Sequence, residues 1–201
     1  MATPSASDAL ILPTGTANLA SVEAAFQKLS VRTRRASAPA EIEAASRVVL
    51  PGVGTFGATM AGLEAKGFAE PMAERVKAGK PTLTMCVGLQ VLFEASEESP
   101  GVKGLGMVDG TVGRFPSDVS VPQFGWNKVE PEDGCRYLKA GYAYFANSFR
   151  VQSASGCKTA IAQHGEPFVA AFEHGDVVAC QFHPELSGAF GLALIRRWLE
   201  G

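Results

Sequence analysis

Short apolar runs that alternate with helical patterns constrain the fold of this chain more than any other feature. The first two runs are stopped by proline and glycine, at Pro13 and Pro51, the third passes directly into a helix, and a helical pattern follows each of them. Such alternation favours right-handed crossovers between parallel strands, with helices on both faces of the sheet. Three such units occur, each a run followed by its helical pattern: 9–12 with 19–29, 47–50 with 56–67 and 70–78, and 81–85 with 87–95.

From Gly106 onward the pattern changes to short alternating runs between glycine and proline turns, which indicates antiparallel strands. A final helix is predicted over 187–200. No linker divides the chain, so we predict one domain over residues 1–201, an α/β fold of three layers with a central, mostly parallel sheet and some antiparallel strands. The later runs are 111–115, 127–129, 142–145, 159–162, 168–172 and 177–182.

Composition excludes several classes of partner. The formal net charge is -2 and the basic residues are scattered, so nucleic acid is not an expected partner. No apolar run approaches the roughly 18 to 20 residues that span a bilayer, and residues 1–8 lack the pattern of a leader, so we expect a cytoplasmic protein without a membrane segment. The four cysteines lack CxxC spacing, and neither a metal site nor a disulfide framework is predicted.

Cys86 lies between a predicted buried strand and a helix, where a nucleophile can project above the edge of a sheet. Gly88 lets the backbone pass close by, and the free N–H groups of a helix start favour the thiolate. The alternative is a buried cysteine that acts as a small hydrophobic side chain.

His183 is the best candidate for the base that a thiol nucleophile needs. It ends an apolar run and is followed by Pro184 and Glu185, whereas His164 and His174 lie in polar stretches typical of surface turns. Residues two apart in an extended segment point the same way, so Glu185 can reach and orient the imidazole. Taken alone, this motif is more often structural or accidental than catalytic.

The turn Pro51–Gly54 provides a candidate oxyanion hole. Its glycines allow the peptide N–H of Val53 to turn into a cleft, and the N–H of Val87, next to the nucleophile, can act as a second donor. A plain turn between strand and helix is the alternative. Because loops gather at the carboxyl ends of parallel strands, we expect these three motifs to converge.

Together, the three motifs resemble the triad-type (class I) glutamine amidotransferases. Other segments look like the glutaminase subunit of imidazole glycerol phosphate synthase, and the similarity covers nearly the whole chain. Those segments are 92–98, 104–106, 121–127 and 144–148, with Gly125-Trp126-Asn127 the most characteristic.

The resemblance implies that Cys86 forms a γ-glutamyl thioester, that His183 transfers protons and that Glu185 orients it. It also implies that no cofactor is needed and that glutamine is the substrate. Ammonia would pass to a (β/α)8-barrel cyclase subunit of imidazole glycerol phosphate synthase in a heterodimer of histidine biosynthesis. The residues implied in binding glutamine are Gly52, Gly54, Gln90, Glu98, Ser148 and Phe149.

The chain departs from the family pattern at a few positions. Thr84 replaces a usual glycine, and a β-branched residue there would be strained if the position needs an unusual backbone angle. Asn147 replaces a usual histidine, and Leu186 a usual lysine that is expected to pair with an acid of the cyclase.

Trp126, Asn127, Phe124 and Leu186 are predicted to contact the partner, because aromatic anchors are common at interfaces. Trp126 as an ordinary core residue is the alternative. For the whole chain, three other functions stay open. They are an amidotransferase that serves another synthase, such as one acting on anthranilate, nucleotides or a surface sugar, a stand-alone peptidase or γ-glutamyl hydrolase, and a binding protein without turnover.

Overall fold

The structure, a computed structural model, describes residues 8–15 and 18–201. Residues 1–7, for which no leader is predicted, and residues 16–17 lie outside that range. The strands are β1 Asp8–Ile11, β2 Arg32–Arg35, β3 Val48–Gly52, β4 Thr82–Cys86, β5 Phe93–Ser96, β6 Val108–Arg114, β7 Gln123–Pro131, β8 Gly141–Asn147, β9 Phe149–Arg150, β10 Lys158–His164, β11 Glu166–His174 and β12 Val177–Cys180. The helices are α1 Leu19–Lys28, α2 Ala40–Ala44, α3 Phe56–Ala65, α4 Ala69–Lys77, α5 Val87–Gln90 and α6 Gly188–Glu200, with a 3-10 turn at Pro184–Leu186.

A nine-stranded sheet in the order β2-β1-β3-β4-β12-β11-β10-β7-β8 forms the centre of the fold. The strands from β2 to β12 pair in parallel, and those from β12 to β8 pair antiparallel. The predicted α/β fold class is confirmed, and the parallel and antiparallel strands occupy separate halves of the sheet. A second, three-stranded sheet has the order β5-β6-β9.

Successive residues of the parallel strands enter different hydrophobic cores. Val48 and Leu50 belong to one core and Val49 to the other, as expected when side chains alternate across a strand. The first core contains apolar residues of α3 and α4, and the second contains those of α1 and α6. Helices therefore cover both faces of the sheet, which gives the three predicted layers.

The prediction of a helix over 87–95 is wrong beyond Gln90. Helix α5 stops there, and Phe93–Ser96 forms β5, which pairs with β6. Leu105 and Met107 also donate backbone hydrogen bonds to Val91 and Leu92. Pairing with distant residues overrides the local helical pattern, because the apolar run is equally compatible with a buried strand.

The prediction of a single domain over 1–201 stays a prediction. No helix within residues 8–15 and 18–201 has the length and apolar character that crossing a membrane requires.

A buried arginine ties the start of β4 to the loops beside it. The guanidinium of Arg75 is 3% exposed and donates five hydrogen bonds of 2.8 to 3.2 Å, and burial lowers its pKa to about 10. Its acceptors are Thr82 Oγ1 and the carbonyls of Ile42, Ala45, Ser46 and Pro81. Every N–H of the guanidinium is used, so the charge is held by carbonyl dipoles.

Arg75→Met is expected to lower the free energy of unfolding by about 3 kcal/mol, because several buried carbonyls lose their donor at once. Urea unfolding measures the change. Lys77→Met, on an exposed side chain of the same helix, serves as the control and should change stability by less than about 0.5 kcal/mol. Equal effects of the two substitutions would contradict the role given to Arg75.

Candidate active site

Three neighbouring parallel strands bring the sequence motifs to one edge of the sheet. Gly52, the last residue of β3, pairs with Cys86, the last residue of β4. Strand β12 pairs with β4 on the other side and ends at Cys180, three residues before His183. The motifs converge because the carboxyl ends of parallel strands lie together.

Cys86 occupies a sharp turn between β4 and α5. Its backbone has φ 53° and ψ −112°, in the left-handed region that residues other than glycine seldom adopt. Thr84 lies two residues earlier, inside β4, and is not among the residues with positive φ. The condition for strain at Thr84 is therefore not met, since the unusual angle belongs to Cys86 and a β-branched residue fits the strand.

His183 and Glu185 form a buried pair beside the cysteine. Nδ1 of His183 is 2.9 Å from Oε1 of Glu185, and their side chains are 7% and 4% exposed. Cys86 and His183 line the same cavity, and the sulfur is close enough to raise the pKa of the imidazole. The loop itself is fixed by Tyr144, whose carbonyl accepts from the His183 N–H, and by Ser187, whose hydroxyl donates to the His183 carbonyl at 2.6 Å.

Burial lowers the pKa of His183, but hydrogen bonds to Cys86 and Glu185, together with their charges, outweigh it and raise the pKa to about 10. The imidazole is thus held as imidazolium at neutral pH, beside the sulfur and between two groups that favour its charge. A protonated imidazole next to a thiol is the arrangement that favours a thiolate–imidazolium pair.

The raised pKa of His183 predicts a pH-dependent contribution to stability. Since the folded-state pKa is about 10 and the ordinary value is 6.5, the contribution is complete below pH 6.5 and is lost as pH rises toward 10. The excess unfolding free energy of the unchanged chain over His183→Gln should therefore shrink across that window. Urea unfolding at pH 6, 8 and 10 measures it, and an excess that grows with pH would contradict the assignment.

A cavity of about 170 Å3 opens in front of Cys86. Most of the predicted site residues line this cavity: Val53, Gly54, Cys86, Val87, Gln90, Glu98, Ser148, Phe149 and His183. Two further residues of its wall, Ala146 and Asn147, were not predicted to bind the substrate.

Gly52 lies beneath this cavity rather than in its wall. A Cβ at Gly52 would be 2.5 Å from the backbone nitrogen of Gly88, and a Cβ at Gly88 would be 2.3 Å from the carbonyl oxygen of Leu50. The end of β3 and the start of α5 thus touch backbone to backbone. Glycine at both positions is what allows the candidate oxyanion loop to reach the cysteine turn.

A scan against protein-family models matches residues 14–199 to the family described as glutamine amidotransferase class-I. The chain belongs to this family. The resemblance drawn from the motifs is thereby confirmed, and the arrangement of Cys86, His183 and the cavity is to be interpreted as that of a glutamine amidotransferase.

Curated relatives of this amidotransferase make the comparison finer. It is 40% identical over 193 residues to imidazole glycerol phosphate synthase subunit HisH of Desulfitobacterium hafniense, covering 94% of this chain and 92% of the relative. It is 36% identical to imidazole glycerol phosphate synthase hisHF of Arabidopsis thaliana, covering 98% of this chain and 35% of that longer protein. A solved glutamine amidotransferase has the same fold, with a TM-score of 0.76 at 20% identity over 96% of this chain and 97% of the other.

Gln181 is a residue of the site that the motifs did not predict. It is fully buried, donates from Nε2 to the Cys86 sulfur at 3.8 Å, and accepts at 3.0 Å from the amide of Gln90. A signal was available, because Gln181, His183 and Glu185 alternate along one stretch and can share a side. Its position before the histidine, within an apolar run, made it resemble a strand residue.

The residues predicted to contact the partner lie on β7 and, for Leu186, in the 3-10 turn that follows His183. Phe124 and Trp126 are 73% and 59% exposed, so the alternative that Trp126 belongs to the core is wrong. Both rings meet Tyr144 edge to face, at 5.7 and 6.0 Å. Leu186 is 44% exposed, and Asn127 donates from its side chain to the Gln163 carbonyl at 2.7 Å. We call Phe124, Trp126 and Tyr144 the aromatic patch.

Proposed function

We propose that this chain is the glutaminase subunit of an imidazole glycerol phosphate synthase. It hydrolyses glutamine to glutamate and ammonia and delivers the ammonia to a cyclase subunit, in the biosynthesis of histidine and in the cytoplasm. The observation that carries the proposal is the contact of Cys86, on its left-handed turn, with the His183–Glu185 pair at the wall of one cavity. The whole of residues 1–201 acts as one amidotransferase domain.

The chemistry begins with attack of the Cys86 sulfur on the carboxamide carbon of glutamine. The N–H groups of Val53 and Val87 stabilise the negative oxygen that forms. When the C–N bond breaks, imidazolium His183 gives its proton to the leaving nitrogen, which departs as ammonia and leaves a thioester on Cys86. Neutral His183 then takes a proton from water, and the resulting hydroxyl attacks the thioester and releases glutamate and the thiolate.

Recognition of glutamine uses the remaining wall of the cavity. The carboxylate of Glu98 is held by the backbone N–H of Phe56 at 2.7 Å, at the start of α3, and provides a negative charge for the substrate ammonium. Gln90 and the backbone of Ser148 and Phe149 contact the other polar groups of the substrate. Gly54, with φ 106°, lets the loop bend over the cavity.

A cyclase partner is supported by the names of the relatives. The Desulfitobacterium protein is called a subunit, and the Arabidopsis protein joins a region similar to this chain to about twice as much additional sequence, since the match covers 35% of its length. We propose that the additional part corresponds to the (β/α)8-barrel cyclase, which binds this chain as a heterodimer. The same relatives argue against a synthase for anthranilate or nucleotides.

The decisive experiment measures glutaminase turnover with and without the candidate cyclase and its nucleotide ligand. Strong stimulation by the loaded cyclase is the expected result. Equal turnover in its absence would indicate a stand-alone hydrolase, and stimulation only by a sugar-modifying synthase would indicate a paralogue.

We also propose that the aromatic patch, with Asn127 and Leu186, contacts the cyclase. Trp126→Ala is expected to weaken binding of the cyclase by about 30-fold or more, since exposed aromatic anchors dominate many interfaces. Calorimetric titration measures the affinity, and urea unfolding checks the free chain.

Tyr142→Ala is the matched control for that experiment. Tyr142 is 60% exposed on the same face of β8 as Tyr144, but it is paired with Lys128 and not with a residue of the aromatic patch. Its loss should change affinity by less than threefold. If Trp126→Ala lowers stability while binding stays intact, the proposed docking surface is wrong.

A further inference from the structure

Gln181 connects the nucleophile to the wall of the substrate cavity. Its side chain is fully buried and lies between Cys86 and Gln90, with 3.8 Å from its Nε2 to the Cys86 sulfur and 3.0 Å from its Oε1 to Gln90 Nε2. Gln90 lines the cavity, whereas Gln181 does not. A ligand in the cavity would therefore contact Cys86 and Gln90 directly, and Gln181 only through these two residues.

The direction of these hydrogen bonds is fixed by a backbone carbonyl. The oxygen of Phe149 can only accept, and it accepts from Gln90 Nε2 at 3.2 Å. The Gln90 amide must therefore present its NH2 to this side, and its second N–H goes to Gln181. Gln181 in turn has to present oxygen to Gln90, which directs its own NH2 toward the sulfur.

As a consequence, the side-chain NH2 of Gln181, and not its oxygen, faces the Cys86 sulfur. A thiolate accepts hydrogen bonds more strongly than a thiol, because bonds to charged acceptors are worth more than neutral ones. The sulfur thus receives a neutral N–H from Gln181, in addition to its electrostatic interaction with His183.

We propose that Gln181 is a positioning residue that holds Cys86 as a thiolate and couples it to Gln90 in the wall of the glutamine cavity. This inference rests on the proposed function, because it concerns the readiness of the nucleophile. Gln181 does not line the cavity and acts only through Cys86 and Gln90.

The test follows alkylation of Cys86 by iodoacetamide across pH, with the Cys86 peptide quantified by mass spectrometry. Cys135, partly exposed and remote from the cavity, serves as an internal reference in the same molecule. Gln181→Met removes the donor and the acceptor together. Gln181→Glu keeps an acceptor for Gln90 but offers a carboxylate to the sulfur.

We expect both variants to alkylate Cys86 about tenfold more slowly near neutral pH, and the difference from the unchanged chain to close as pH rises, since thiolate then forms without help. For Gln181→Glu we also expect kcat for glutamine to fall by about tenfold with KM nearly unchanged. Gln123→Met, at another buried glutamine that does not line this cavity, should leave the alkylation profile unchanged.

Two results would overturn the inference: an unchanged profile in both Gln181 variants, or a slowing that is the same at every pH, which would indicate altered access rather than a destabilised thiolate. If Gln181→Met does not fold, Gln181→Glu decides alone. Alkylation does not require turnover, so the inference can fail while Cys86 remains necessary for glutaminase activity, and the two failures are distinguishable.

Discussion

Cys86→Ala is expected to abolish glutamine-dependent synthesis by the complex while ammonia-dependent synthesis continues. The variant lacks the sulfur that forms the thioester, and the remaining donors cannot replace it, so glutamine turnover should fall by at least about ten-thousand-fold. The ammonia-dependent reaction needs only the cyclase and a docked partner, which this substitution leaves in place. Both rates are measured on the same complex, with glutamine or with ammonium salt as the nitrogen source.

Cys180→Ala is the matched control for that comparison. Cys180 ends β12 close to the triad and is fully buried, and burial, with the charges of Glu185 and Glu173, raises its pKa well above the ordinary value. A thiol of this kind is a packing residue rather than a nucleophile. Its replacement should leave glutamine turnover within about threefold. Turnover that survives Cys86→Ala would show that the nucleophile is misassigned.

Gly88→Ala has the second-largest expected effect. The new Cβ would lie 2.3 Å from the Leu50 carbonyl oxygen, a backbone atom that cannot move without shifting the end of β3. The shift would move the candidate oxyanion loop away from its position beside Cys86, which should lower kcat for glutamine by about 100-fold. The overpacking should also lower the unfolding free energy by about 2 kcal/mol.

Gly57→Ala provides the comparison for Gly88→Ala. Gly57 lies in α3, where the nearest atoms to a Cβ would all belong to side chains: Ser99 Oγ at 3.0 Å, Ser99 Cβ at 3.3 Å and Val102 Cγ2 at 3.7 Å. Alanine is also a better helix former than glycine. Its glutaminase rate and unfolding free energy should stay close to those of the unchanged chain. Steady-state kinetics and urea unfolding measure both variants. A Gly88→Ala protein with full activity would contradict the backbone contact as the determinant of the site.

Sequence reasoning found most of the site because its parts follow strands. Cys86 and the turn after β3 come directly after buried apolar runs, and parallel strands place such turns together, so convergence followed from topology. The role of Gln181 was not predictable in this way. It depends on contacts with Cys86 and Gln90, which are about 90 residues away in the sequence. The motif comparison raises strain only as a condition at Thr84, whereas the positive φ lies at Cys86, because a motif gives the position of a turn but not the residue that has the unusual angle.

The fold was predictable where the apolar pattern is strong. It was not predictable where a segment becomes a strand only because it pairs with a distant part of the chain. The runs at β1 and β3 contain consecutive apolar residues, at 9–12 and 48–50, and the run at β4 alternates threonine with Leu83 and Met85. Strand β2, Arg32–Arg35, has no apolar pattern and exists as an edge strand because it pairs in parallel with β1. Strand β5 was read as helix for the related reason that its partner, β6, lies in a later part of the chain.

The left-handed backbone at Cys86 sets stability against activity. Stability favours glycine at this position, whereas activity requires the cysteine sulfur. A non-glycine residue in that region costs about 1–3 kcal/mol, and glycine would relieve it while removing the sulfur. A lineage in which ammonia came from elsewhere would lose the reason to keep cysteine and would become more stable by losing it. Glycine at this position is therefore the replacement by which to recognise descendants of such an enzyme that have abandoned catalysis.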